Sequence, residues 1–125
     1  VSEGRRILIV DDDAFIRRPL EFILREEGYE PISVADADEG MRSIESEAPD
    51  LIVLDVMMPG KDGLTLCGEL KGDPRYASIP IVLLSARGQE HDRQKGLALG
   101  ASDFLTKPYS PHEFKRCVRR LLRRG

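Results

Sequence analysis

Short apolar runs alternate with longer amphipathic stretches along this chain, and the alternation predicts its elements. Residues 7–10, Ile-Leu-Ile-Val between Arg6 and Asp11, form a continuous apolar run, as in a strand covered on both faces. Ile16, Leu20, Ile23 and Leu24 then recur at i, i+4, i+7 and i+8, which predicts an amphipathic helix over 13–27, stopped by Gly28. Pro19 lies inside it, removes a backbone hydrogen bond and predicts a bend. Residues 29–35 predict a second strand, placed at a sheet edge by Pro31. Asp36 and Glu39 have the D-x-x-E spacing of a capping box. The helix they open is expected to turn Met41, Ile44 and Ala48 inward and to end before Pro49. Residues 51–54 predict a third strand that ends in a carboxylate, Asp55. A short helix over 64–70 follows Asp62-Gly63 and is closed by Gly72-Asp73-Pro74. Residues 81–84 and 103–106 predict strands four and five.

The two remaining helices are unlike each other. Residues 87–95 are almost entirely polar and apolar residues begin only at Leu97, so a helix over about 89–99 has little to anchor its first half. The last helix is well specified: Ser110-Pro111-His112-Glu113 supplies an N-cap, a first-turn proline and the N3 acid. Phe114, Val118, Leu121 and Leu122 form its apolar stripe. Five strands alternating with five helices imply right-handed β-α-β crossovers, hence an α/β fold with a doubly wound parallel sheet between helix layers.

Length and charge narrow the reading. The 125 residues fit one domain, and the net charge of −3 favours neither nucleic acid nor an anionic membrane. No apolar run approaches the ~20 residues of a membrane span, and no basic-then-apolar leader is present. Cys67 and Cys117 lack metal-ligand spacing and read as two reduced, mostly buried thiols of a cytoplasmic protein. The first residue is Val, so the chain is expected to be a piece of something longer.

The chemistry gathers at one rim. In doubly wound sheets the working site lies beyond the carboxyl ends of the strands. Asp11, Asp12 and Asp13 follow the first strand, and Asp55 ends the third, its expected neighbour. Asp13 reads as a helix N-cap. The other acids, converging at one edge, repel unless they share a cation, and an all-oxygen set with few protein groups suits magnesium. Ser85 and Lys107 fall at the ends of the fourth and fifth strands, on the same rim. A hydroxyl, an ammonium and a metal around one carboxylate are what a phosphoryl group requires.

In VDDD at 10–13, LDVMMPGKDG at 54–63, LLSA at 83–86 and GASDFLTKP at 100–108, the chain resembles the receiver domain of two-component response regulators. The resemblance covers residues 1–125 and implies a flavodoxin-like fold with strand order 2-1-3-4-5. It implies that Asp55 accepts a phosphoryl group from a histidine kinase or phosphotransfer protein, self-phosphorylation and autodephosphorylation being the only chemistry. It further implies that Asp12, Asp55 and the backbone carbonyl of Met57 ligate magnesium directly, with Asp11 acting through water. Lys107 would contact the phosphoryl oxygens, Ser85 would swing in to bond them, and Phe104 would be the aromatic switch, turning inward from a more exposed rotamer. Lys107-Pro108 matches a cis peptide. The signalling face would comprise helix 4, strand 5 and helix 5, reaching an output domain or partner protein, with a phosphorylation-linked dimer as one outcome.

Other classes fit less well. A haloacid dehalogenase-type phosphotransferase would need a second Asp at position 57, where Met57 stands, and a cap domain. A flavodoxin would need a phosphate-binding first loop, and here that loop is acidic. A pseudo-receiver interaction module would not require the acids, Ser85 and Lys107 together. The basic residues Lys115, Arg116, Arg119, Arg120, Arg123 and Arg124 read as a solvated helix face or the start of a connector, since no DNA-binding motif accompanies them.

Overall fold

The computed structural model describes residues 4–86 and 89–123. Arg87, the start of the polar stretch, and Arg124 of the basic tail lie outside the described residues. The strands are β1 (Arg6–Val10), β2 (Glu30–Val34), β3 (Leu51–Asp55), β4 (Ile81–Ala86) and β5 (Asp103–Lys107). They form one parallel sheet in the order β2-β1-β3-β4-β5, with Pro31 on an edge strand as its missing amide requires. The helices are α1 (Ala14–Glu26), α2 (Ala37–Ser46), α3 (Gly63–Lys71), α4 (Glu90–Ala98) and α5 (Pro111–Leu122).

Alternate side chains of the strands feed two cores. Leu8, Val10, Ile52, Leu54 and Leu83 pack with Ile44 of α2 and with Leu66, Cys67 and Leu70 of α3. Ile7, Ile9, Val53, Val82 and Leu84 pack on the other face with Leu20 and Leu24 of α1 and Phe114, Cys117 and Val118 of α5. Burial on both faces is why the strand sequences read as unbroken apolar runs. The register pairs Val10 with Leu54, Asp55 with Leu84 and Ala86 with Lys107, so the strand ends line up along one rim.

The caps follow the sequence closely. Asp13 accepts from the Phe15 amide, and Asp36 from the Glu39 amide. Ser110 and Glu113 close a full capping box on α5. α1 continues through Pro19, which lies on its exposed side, where water can take the carbonyl the proline leaves without a partner. Ala48 does not turn inward. α2 stops at Ser46, Ala48 falls in the exposed outgoing turn, and Pro49 takes the buried place. Both cysteines are free and buried.

α4 is as weakly anchored as its composition suggests. It has no side-chain N-cap and buries only Asp92 and Gly96. A Cβ on Gly96 would stand 2.3 Å from Leu83 Cδ1, so the helix comes close to β4 by having no side chain there. Leu97 and Leu99 remain 43% and 41% exposed, so its apolar end is only half used.

Candidate functional site

The carboxyl ends of β1, β3 and β5 bring three acids and one lysine together. One carboxylate oxygen from each of Asp11, Asp12 and Asp55 lies within 4.8 Å of the others. Asp11 and Asp55 are buried, whereas Asp12 is exposed. Lys107 ends β5 and must cross the end of β4 to reach Asp55, because β4 lies between β3 and β5. Its Nζ stands 3.1 Å from Asp55 Oδ1 and 3.7 Å from Asp11 Oδ2.

These groups disturb one another's protonation. Burial, and next the Asp11 charge, push the Asp55 carboxyl from 3.8 up to about 6, against the pull of Lys107. Burial likewise raises Asp11, opposed by the Asp13 amide and Lys107. Tyr109 is pushed up to about 12 by burial and then by the Asp11 and Asp55 charges. The pocket is therefore short of positive charge.

The fit of a metal can be tested on one atom. Asp11 Oδ1 accepts from the Asp13 amide at 2.9 Å, but Asp11 Oδ2 is buried without a hydrogen-bond partner among the described residues. An unsatisfied buried carboxylate oxygen beside two further carboxylates is a site built for a hard cation. The donor set fits magnesium.

The other expected residues take the following places. Ser85 is fully buried, and among the described residues its hydroxyl has a 3.5 Å approach to the Ala86 carbonyl, at the limit of a hydrogen bond. Met57 lies in the β3–α3 loop and is 64% exposed. Phe104 departs from the expectation: it is already inward, 4% exposed, with the Arg93 guanidinium 5.9 Å from its ring centroid. Its backbone places it on the α4-facing core side of β5, where the ring fills space that the sparse α4 leaves open. The Lys107–Pro108 peptide is cis, as the resemblance implies.

Two residues near the acids escaped sequence reasoning. A Cβ on Gly63 would stand 2.2 Å from the Asp55 carbonyl oxygen, and the Gly63 amide donates to the Val56 carbonyl at 2.9 Å. Only glycine lets the first turn of α3 sit against the backbone of Asp55. The Asp62-Gly63 pair was legible as a helix start, with Asp62 capping Thr65, but not as a close approach. Arg17, on the polar side of α1, donates from Nη1 to the Asp11 carbonyl at 2.7 Å. Nothing in helical periodicity singles it out.

Comparison with known proteins agrees with this geometry. The profile of the response regulator receiver domain matches residues 7–119. The phosphate regulon transcriptional regulatory protein PhoB of Escherichia coli (strain K12) is 42% identical over 121 residues, covering 97% of this chain and 53% of PhoB. The probable transcriptional regulator ycf27 of Cyanophora paradoxa is 47% identical over 120 residues, covering 96% of this chain and 49% of that protein. This chain thus spans about half the length of these relatives. Among solved structures, the signal receiver domain of a signal transduction histidine kinase from Syntrophus aciditrophicus superposes with a TM-score of 0.89 at 39% identity, covering 96% of this chain and 91% of that one.

Proposed function

We proceed from the fact that this chain belongs to the response regulator receiver domain family, and we propose that Asp55 is its phosphoacceptor. The convergence of three carboxylates with Lys107 at one rim is the observation that carries this assignment. An oxygen of Asp55 attacks the phosphorus of a phosphohistidine on a histidine kinase or phosphotransfer protein. The P–N bond breaks, the imidazole leaves with the electron pair, and an acyl phosphate forms on Asp55. Asp11, Asp12, Asp55 and the Met57 carbonyl would hold magnesium, which when bound neutralises charge between the acids and the incoming phosphoryl oxygens. Lys107, already 3.1 Å from Asp55, is placed to follow the transferred oxygens.

Ser85 then has a role that its burial at the end of β4 supports. A phosphoryl oxygen offers its buried hydroxyl a charge-assisted acceptor, where among the described residues it has a marginal one. Drawing Ser85 and the following loop toward Asp55 would bias the packing of α4, which has the fewest anchors. Phe104, inward and beneath Arg93, sits at that boundary as the switch residue. The face made by α4, β5 and α5 would pass the change to an output domain or partner protein, with dimerisation of that face as one form of response. Residues 1–125 would act as one receiver unit of a cytoplasmic regulator, as the transcriptional regulators it resembles suggest. Among the described residues no helix is long and apolar enough to cross a membrane.

Incubation with acetyl phosphate or phosphoramidate and magnesium tests the assignment. The wild-type chain should take up base-labile phosphate, Asp12→Ala should lose magnesium-dependent uptake, and Asp55→Asn should take up none. Appreciable labelling of Asp55→Asn would move the acceptor elsewhere.

A further inference from the structure

Arg17 is half-buried, and among the described residues its guanidinium bonds backbone and forms no ion pair with an acid. Its Nη1 donates to the Asp11 main-chain carbonyl at 2.7 Å. That carbonyl lies just past the β1–β3 register, which ends at Val10 and Leu54. The same short turn is fixed from two other directions. The Asp11 amide donates to the Val34 carbonyl at 3.2 Å, and the Asp13 amide to Asp11 Oδ1 at 2.9 Å. Arg17 is itself rooted in the first turns of α1, its amide bonded to the Asp13 carbonyl at 3.1 Å. The strand end, the acidic turn and the helix start are therefore joined through one side chain.

We propose that Arg17 is a positioning residue that sets the Asp11–Asp12 turn toward Asp55 and thereby raises the affinity of the site for a divalent cation. The inference rests on the reading of those acids as a cation site. A planar guanidinium with directed N–H groups suits this task, because it holds a carbonyl in one orientation. Without it the Asp11 carbonyl loses its side-chain anchor, the flanking amide bonds restrain the Asp11–Asp12 peptide less fully, and the carboxylates of successive residues leave more often the arrangement in which both face Asp55. Ordering them then falls to the cation itself, which lowers its apparent affinity.

Charge and position make opposite demands, which renders the proposal testable. Considered only as a positive charge near three acids, Arg17 repels a divalent cation, and its removal should tighten binding. Considered as a positioning residue, its removal should weaken binding. The experiment is a magnesium chloride titration of the isotope-labelled chain, followed by amide chemical shifts of residues 11–13 and 55–57, in wild type, Arg17→Met, Arg17→Lys and Asp12→Asn. Arg17→Met should bind magnesium ~10-fold more weakly, the size expected for losing one charge-assisted hydrogen bond, and Arg17→Lys should fall between. In parallel, half-saturation by magnesium in acetyl phosphate labelling should rise by the same factor while the rate at saturating magnesium stays at the wild-type value. A purely structural loss would lower that maximal rate.

Equal or tighter binding by Arg17→Met overturns the proposal. If Arg17→Met does not fold, Arg17→Lys decides: weaker binding supports the role and unchanged binding rejects it. Asp12→Asn separates the two levels. If it binds as tightly as wild type, the cation site itself is misassigned; if it weakens and Arg17→Met does not, only the role of Arg17 falls.

Discussion

Replacing Asp55 by Asn should make this protein more stable at neutral pH when divalent cations are absent. Asp55 is 4% exposed and its carboxyl is raised from 3.8 to about 6, with burial and then the Asp11 charge as the causes. The folded-state value lies above the unfolded one, so the folded protein holds this proton more tightly. Well below the unfolded value of 3.8 both states are protonated and the group costs nothing. As pH rises the unfolded chain ionises first, and the relative stability is lost until the folded carboxyl also ionises near pH 6. At pH 7.5 the accumulated cost is about 2–3 kcal/mol, since each pKa unit corresponds to about 1.4 kcal/mol. Asn has nearly the same shape and no charge, so it escapes that cost.

The assay is urea and thermal unfolding followed by circular dichroism, with chelator, at pH 7.5 and pH 4. At the higher pH the Asn variant should gain about 2–3 kcal/mol, or roughly 10 °C in midpoint for a domain of this size. At pH 4 the gain should shrink to a few tenths of a kcal/mol, roughly the scale of a neutral surface change. Saturating magnesium should stabilise wild type and narrow the gap, because only wild type has the full carboxylate set. Equal or lower stability of the variant at pH 7.5 would refute the argument. A gain that persisted undiminished at pH 4 would assign the effect to packing instead of charge.

Three further outcomes follow from particular contacts. Gly63→Ala puts a Cβ 2.2 Å from the Asp55 carbonyl oxygen, so backbone must shift; it should cost about 3 kcal/mol or more in urea unfolding and slow acetyl phosphate labelling, and wild-type values for both would contradict the close approach. Lys107→Met removes a cation that lowers both Asp55 and Asp11, so the Asp55 carboxyl should titrate above its present value of about 6 by carbon-detected NMR. The same variant should bind magnesium at least as tightly as wild type yet label more slowly, and normal labelling would remove Lys107 from the mechanism. Hydrogen exchange with and without a beryllofluoride mimic should change mainly over residues 85–106 and the start of α5; changes concentrated on α1 and α2 would place the signalling face elsewhere.

The order of elements, the sheet covered by helices on both faces and the rim on which the acids lie were all legible in the chain. Short continuous apolar runs such as 51–54, bounded by polar and turn residues, suit a strand buried on both faces, and the caps at Asp13, Asp36 and Ser110 announce themselves locally. Asp11, Asp12, Asp55, Ser85 and Lys107 could be chosen because strand ends in a parallel sheet share one edge. What the chain could not disclose depends on distances between segments remote in sequence. Ala48 was misplaced because helical spacing carries no information on where α2 stops, and the buried Pro49 decided it. Phe104 was expected in an exposed rotamer, yet the sparse α4 leaves room for its ring in the core. Gly63 and Arg17 emerged only when α3 and α1 were set against the strand ends, where a missing Cβ and a guanidinium meet the backbone of Asp55 and Asp11. Periodicity reports which face a residue occupies; close backbone approach depends on how that face is seated on the sheet, a property of the packed whole.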